Sequence, residues 1–282
     1  MLKLAIAADE PCKVVNAREM FKQLGVETLD LRKLDMSQCV STREMFDECT
    51  SLKTLKQNWD LSNLVDGQEM FYNCRALTEL DTSNWGLNKL RNAYYMFYYS
   101  SITSISGSGN WNLSQLENAS TMFGGSGITQ LDGTHWGLNS VTQVTSMFFQ
   151  CEALTAITGS GNWDLSKVKT MAQMFLGCTA LTELDASDWK LTNLTAAGSM
   201  FQRSGLTKLT INGQALKKLI AAGGIDIDRQ QYGSEEISEF YNAIMTFTGS
   251  VQGSKFIITG LEKYRARGGD WEYPAVDSDE EM

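Results

Sequence analysis

Met70-Phe71-Tyr72-Asn73-Cys74-Arg75-Ala76-Leu77-Thr78-Glu79-Leu80-Asp81-Thr82-Ser83-Asn84-Trp85 is the stretch that decides the fold, because most of the chain consists of variants of it. A Met-Phe pair returns at Met20, Met45, Met70, Met96, Met122, Met147, Met174 and Met200, at intervals of 25, 25, 26, 26, 25, 27 and 26 residues. A period of this size marks a solenoid. One unit cannot bury its apolar face alone, whereas stacked units form a continuous core and a long exposed surface. The tryptophan that closes the quoted stretch returns as Trp59, Trp85, Trp111, Trp136, Trp163 and Trp189, with Leu34 in the first unit. Such large rings dominate burial, so this column reads as core rather than as a cofactor box or sugar platform.

Within each unit, residues such as Leu77-Thr78-Glu79-Leu80-Asp81 have the alternating character of a short strand. Stacking pairs these strands into a parallel sheet, with a rise of about 4.8 Å per unit. The Met-Phe segment reads as a short helix or 3₁₀ turn on the opposite side. Cys49, Cys74, Cys151 and Cys178 share one slot, three residues after the repeat Phe, which elsewhere holds Leu24, Ser100, Ser126 or Ser204. Cysteines stacked in this way have parallel side chains, a poor disulfide geometry, and read as buried thiols. There is no Cys-x-x-Cys pair, so no zinc site is expected.

The 282 residues are 43% hydrophobic and 20% charged, with two prolines, which fits neither a disordered nor a collagen-like chain. The apolar run Leu4 to Ala8 is too short for a signal-peptide core or a membrane span. Of the net charge of -9, Asp277, Asp279, Glu280 and Glu281 supply four. The body is only mildly acidic, so neither nucleic acid nor membrane insertion is expected. The repeat breaks near Asn212. The expected organisation is an N-terminal partial repeat over 1–19, a solenoid over 20–211, a divergent α/β cap over 212–276 and an acidic tail over 277–282. In the cap, Ala215 to Ala222 looks helical, a second helix starts at Ser234, Phe256 to Ile258 reads as a strand, Leu261 to Arg267 as a helix and Trp271 to Tyr273 as a strand.

The sequence from Met70 to Trp85 resembles the repeat of the BspA-type leucine-rich-repeat proteins, and the resemblance extends over roughly residues 14 to 211. It implies a leucine-rich-repeat-like, right-handed α/β solenoid of about eight units with a parallel sheet and short helices. It also implies roles in binding and attachment, on bacterial surfaces or in bacteriophage-encoded proteins. The family offers no shared catalytic residues or cofactor to carry over.

The residues themselves point the same way. His135, the only histidine, occupies a polar slot held by Asn58, Asn84, Asn110 and Asn162 in other units, and no nucleophile elbow, phosphate loop or metalloprotease motif is present. No catalytic or metal-binding residue is assigned. Two surface features remain. Aspartate fills one strand slot in alternate repeats, as Asp30, Asp81, Asp132 and Asp185, while Gly-Ser-Gly-Asn-Trp turns occur only in the fourth and sixth, so the deeper period is a doublet. Like charges directly opposite on neighbouring strands are destabilising, which favours alternation. The stripe Asp81, Asp132, Asp185 reads as a recognition surface or a solvated face. The second feature is Tyr94-Tyr95-Met96-Phe97-Tyr98-Tyr99, which places tyrosine in slots that are polar or small in other repeats. Tyr94, Tyr95, Tyr98 and Tyr99, beside Tyr72, form a candidate binding patch. The expected partner is a protein or glycan, or other virion proteins. The first choice of setting is a phage particle, whose proteins need no signal peptide. The alternatives are a bacterial surface adhesin given without its export segments and a purely structural virion or scaffold component.

Overall fold

The computed structural model describes residues 3–6, 10–225 and 255–259. The main strands, one per repeat, are β1 (Lys3–Ala5), β3 (Thr28–Asp30), β5 (Thr54–Lys56), β6 (Glu79–Asp81), β7 (Ser104–Ser106), β8 (Gln130–Asp132), β9 (Ala156–Thr158), β10 (Glu183–Ala186) and β11 (Lys208–Asn212). Two short strands, β2 (Cys12–Lys13) and β4 (Leu34–Asp35), pair beside them. After β11 come α1 (Gly213–Ala221) and β12 (Lys255–Thr259). The chain is thus a parallel β-solenoid of about eight turns.

The core consists of two aromatic columns. Phe21, Phe46, Phe71, Phe97, Phe123, Phe148, Phe175 and Phe201 stack face to face with centroid separations from 5.1 to 5.8 Å. Beside them Trp85, Trp111, Trp136, Trp163 and Trp189 stack in turn. A buried indole N–H needs an acceptor. Trp59, Trp136, Trp163 and Trp189 donate to main-chain carbonyls of the preceding repeat, at Leu31, Ser108, Gly133 and Ser160, whereas Trp111 donates to the hydroxyl of Thr82.

The opposite wall differs from the expected short helices. Each Met-Phe segment is a run of turns. In the second repeat, Met45, Asp47 and Cys49 donate to carbonyls three residues back, while Thr42, Glu44, Phe46 and Glu48 donate to Asp66, Gln68, Met70 and Tyr72 of the next repeat. Alternate N–H groups therefore close turns or bridge repeats, and none is left for the i→i−4 bonds of a helix. Turns closed by Met45 and by Cys49 have Glu44 (φ 55°) and Glu48 (φ 54°) as their third residue, the position where a type II turn needs positive φ. The same two slots, two before and two after the repeat Phe, are left-handed in all eight repeats. Among the described residues, the helices are α1 and two single 3₁₀ turns, Ser108–Asn110 and Ser160–Asn162.

The sheet is not continuous either. It falls into the strips β1-β3-β5, β6-β7, β8-β9 and β10-β11-β12, so each break follows an even repeat. Side chains of the even repeat bridge the gaps: Gln57 donates to the Asp81 carbonyl, the Ser108 hydroxyl accepts from the Asp132 N–H (3.1 Å), and the Ser160 hydroxyl donates to the Asp185 carbonyl (2.8 Å). By contrast, one-residue parallel pairings run unbroken from Asn16 through Ser41, Asp66, Asn92, Asn118, Gln143 and Thr170 to Ala196. The doublet is therefore a property of the strand side alone.

At the C-terminal end, Asn212 caps α1 by accepting from the Ala215 N–H, and β12 pairs antiparallel with β11, covering what would otherwise be an open sheet edge. β1 lies in the expected N-terminal partial repeat, the expected strand at Phe256 to Ile258 corresponds to β12, and the expected helix at Ala215 to Ala222 to α1. The segments around Ser234, Leu261 to Arg267 and Trp271 to Tyr273, and the tail over 277–282, lie outside the described residues.

Candidate functional site

The Met-Phe wall carries the candidate site. Side chains at each slot line up along the stack, so the residue after the repeat Phe forms a column of Lys22, Asp47, Tyr72, Tyr98, Gly124, Phe149, Leu176 and Gln202. The five tyrosines singled out in the sequence form one contiguous cluster. Tyr94 lies 3.9 Å from Tyr95 between ring centroids, Tyr95 4.5 Å from Tyr98, Tyr98 4.2 Å from Tyr99, and Tyr72 meets Tyr95 at 6.2 Å and Tyr98 at 5.7 Å. Tyr72, Tyr94, Tyr95 and Tyr98 are half-buried, and Tyr99 is 41% exposed. Burial raises the Tyr94 and Tyr98 hydroxyls well above the usual phenol range, with their neighbours Tyr95 and Tyr99 adding to the shift.

Two features hold the cluster in place. Tyr95 (φ 54°) and Tyr99 (φ 52°) sit in the left-handed slots, a conformation uncommon for bulky residues and imposed here by the cross-repeat ladder. The next repeat offers a glycine floor. A Cβ at Gly125 would lie 2.4 Å from the Tyr99 ring, and one at Gly124 would lie 3.0 Å from the Tyr98 ring. The rings thus lie down across the following repeat instead of projecting into solvent. The sequence pattern located the tyrosines but not this floor, although the pair Gly124-Gly125 was the available signal: Gly124 stands where other repeats have larger residues, and the Gly125 slot holds glycine elsewhere only as Gly177.

The cluster has an acidic border that slot comparison also missed. Glu44, Asp47, Glu48 and Glu69 occupy the same columns one and two repeats earlier. Lys22 is bracketed by Glu44 (2.5 Å) and Asp47 (2.8 Å), which raise its pKa. Asp47 is nearly fully buried, and its Oδ1 has no hydrogen-bond partner among the described residues. Burial raises its pKa against the opposing pull of Lys22. Tyr72 is raised by burial first and then by Asp47, Glu48 and Glu69. The tyrosine cluster therefore sits in the negative potential of these carboxylates.

The aspartate stripe has a different geometry. Asp81 Oδ1 accepts from the Ser83 N–H (3.0 Å) and hydroxyl (2.6 Å), and Asp132 Oδ1 accepts from the Thr134 N–H (2.9 Å) and hydroxyl (2.6 Å). Asp185 accepts from the Ser187 N–H (2.9 Å), and Asp30 is held by Arg32. These are Asx turns that end the strand. The Ser83 and Thr134 bonds depress Asp81 and Asp132, and the Arg32 guanidinium lowers Asp30 to about 2. Cβ atoms at Gly109 and Gly161 would lie 2.3 and 2.6 Å from the Asp132 and Asp185 carboxylates, so the second glycine of each Gly-Ser-Gly turn makes room for the next repeat's aspartate. An open groove of about 400 Å³ lies at the break between β7 and β8, lined by residues including Thr103, Gly109, Asn110, Asp132 and Thr158.

His135 is exposed, and its Nδ1 lies 2.8 Å from the Gly109 carbonyl. The six cysteines are free thiols. Cys49, Cys74, Cys151 and Cys178 each donate to the carbonyl of the preceding repeat Phe, at 3.0 to 3.2 Å. Burial pushes Cys49 up to about 11 and Cys151 up to about 12, far from the range of a reactive thiolate. Among the described residues, no group of three or more His, Cys, Asp or Glu side chains is placed to hold a metal ion, and no helix is long and apolar enough to cross a membrane.

Residues 15–134 and 128–219 match a family model described as "Mycoplasma protein of unknown function, DUF285". No curated protein matches the chain. Among solved structures, the chain is similar to a leucine rich cell surface protein from Faecalibacterium prausnitzii A2-165, at 18% identity and a TM-score of 0.26, over 80% of this chain and 77% of that one.

Proposed function

Since the chain belongs to the DUF285 family and is built of BspA-type leucine-rich repeats, we propose that it is a non-catalytic binding protein whose tyrosine cluster on the Met-Phe wall is the contact surface for a macromolecular partner. The observation that carries this reading is the coincidence of five tyrosines in one repeat-to-repeat cluster, two of them held at positive φ over a glycine floor. Core packing does not require them, because the Phe and Trp columns pass beneath without interruption. Tyrosine supplies a large amphipathic contact area at low entropy cost. The family's description names Mycoplasma, a bacterium, rather than a phage, so the surface of a bacterial cell is the setting proposed.

The test is the triple variant Tyr94→Ser, Tyr95→Thr, Tyr99→Gln, which uses residues found in the same slots of other repeats. The variant is expected to keep the wild-type circular dichroism spectrum and melt while losing binding to host cells and to immobilised glycans and peptides. Unchanged binding, or unfolding of the variant, refutes the assignment of the site. Antibody labelling of intact bacteria that carry the gene tests the setting, and labelling confined to released phage particles overturns it.

A further inference from the structure

Resting on the reading of the tyrosine cluster as the contact surface, we infer that its occupant is a basic peptide segment. In this arrangement an arginine or lysine side chain lies over Tyr72 and Tyr95 with its head at Glu69 and Glu48. The argument is charge complementarity at a particular edge. Tyr72 lies within the field of Asp47, Glu48 and Glu69, and Tyr94 within that of Glu69. In this part of the wall the cations already present are committed: Lys22 to Glu44 and Asp47, and Arg43 to Glu44. Glu48 is met by the Gln23 amide and Glu69 by the Gln68 amide, each a neutral donor, and neither has an ion pair among the described residues. Asp47 adds a buried, unpartnered carboxylate oxygen one position from Tyr72 in the same column. Arg75, in the turn that follows Asn73, donates to the Asn73 side chain and has no ion pair among the described residues.

Lys22 illustrates the mode within the molecule, since its ammonium group lies across the carboxylates of the next repeat. A ligand cation at the tyrosine edge would repeat this one unit further on, with aromatic faces added. Cations are attracted to aromatic faces, and guanidinium combines stacking with forked hydrogen bonds to carboxylate. A neutral glycan can stack on the ring faces and donate hydroxyl hydrogen bonds to the carboxylates, but it leaves their charge uncompensated. The chemistry therefore selects a cationic chain over a sugar.

The experiment uses the full chain and a fluorescein-labelled hexa-arginine peptide, with the hexa-citrulline peptide as the uncharged isostere, followed by fluorescence anisotropy. The arginine peptide is expected to bind, and the citrulline peptide at least about tenfold more weakly. Glu48→Gln with Glu69→Gln is expected to weaken binding by about tenfold, as is the tyrosine triple variant. The charge-matched control Glu79→Gln with Glu152→Gln, both exposed residues away from the cluster, should bind as the wild type does. Equal binding of the two peptides overturns the inference, as does equal weakening by the control pair, which would mean attraction to net charge alone. If the arginine peptide fails to bind but the tyrosine variant still loses binding to cells, the inference falls and the contact surface stands. If that variant binds cells normally, both fall.

Discussion

Replacing Gly107 with alanine separates two forces that the strand side balances. Gly107 opens the Gly-Ser-Gly turn of the fourth repeat at φ 81°, and a Cβ there would lie 2.4 Å from the Cα and 2.5 Å from the N of Ser83. That overlap is with backbone, which cannot swing away as a side chain could. Gly86 is the internal control: its φ is 68°, also left-handed, but its nearest neighbour is the Ser62 Cβ at 3.4 Å, an ordinary contact. Left-handed strain alone costs roughly 1–2 kcal/mol, offset by about 0.4–1 kcal/mol of lost unfolded-state entropy, so Gly86→Ala should destabilise by about 1 kcal/mol. Gly107→Ala carries the same strain plus an overpacking cost of roughly 1–3 kcal/mol, for about 2–4 kcal/mol in all. Urea unfolding followed by the fluorescence of the buried tryptophans measures both. Matching losses for the two variants would refute the view that close approach between repeats, rather than backbone conformation, is what demands this glycine.

Phe148→Ala removes a fully buried ring stacked at 5.4 Å on Phe123 and 5.3 Å on Phe175, and should lower stability by about 3–5 kcal/mol in the same urea assay. All six cysteines should react with a thiol reagent once the chain is denatured without reductant, while the buried Cys39, Cys49, Cys74, Cys151 and Cys178 stay protected in the native state and the half-buried Cys12 does not; counting released chromophore checks this. Asp132→Ala, which removes the acceptor of two hydrogen bonds, should cost about 1–2 kcal/mol in a thermal melt, whereas Asp132→Asn keeps an acceptor oxygen and should cost much less. Asp47 gives a sign test, since its pKa is raised by burial in the folded state. The folded protein holds this proton more tightly than the unfolded chain, so the group's contribution to stability falls as pH rises through its titration from the unfolded value of about 3.9. Asp47→Asn should therefore leave the urea midpoint at pH 7 unchanged or higher, and a clear drop would show that the Lys22 pair outweighs desolvation.

The candidate site was only half legible in the sequence. Tyr94, Tyr95 and Tyr99 were visible because each departs from what its slot holds elsewhere, a comparison that needs only the register of the repeat. What the slots are was not visible: both are left-handed turn positions, yet Glu19, Gln23, Glu44 and most of their equivalents carry no glycine signature. The expected short helix failed for the same reason, because the bonds that fix this wall run between repeats, where local propensity has no say. The aspartates were read as recognition surface or solvated face. Their engagement in Asx turns depends on residues only two positions further on, Ser83, Thr134 and Ser187, so that part was within reach of the sequence.

By itself, the sequence determined the stack. A period of 25 to 27 residues with a Phe in every unit and a Trp in six of the eight calls for an arrangement that buries these rings together, and the rings do form two columns along the molecule. Only the tertiary structure decided how neighbouring turns are joined: a continuous ladder of turns on the Met-Phe wall, and on the strand side paired strips with Gln57, Ser108 and Ser160 bridging the gaps. The physical reason is one of range. Burial of a ring is dictated by its own chemistry, whereas the partner of each backbone N–H is set by where a residue some 25 positions away comes to rest.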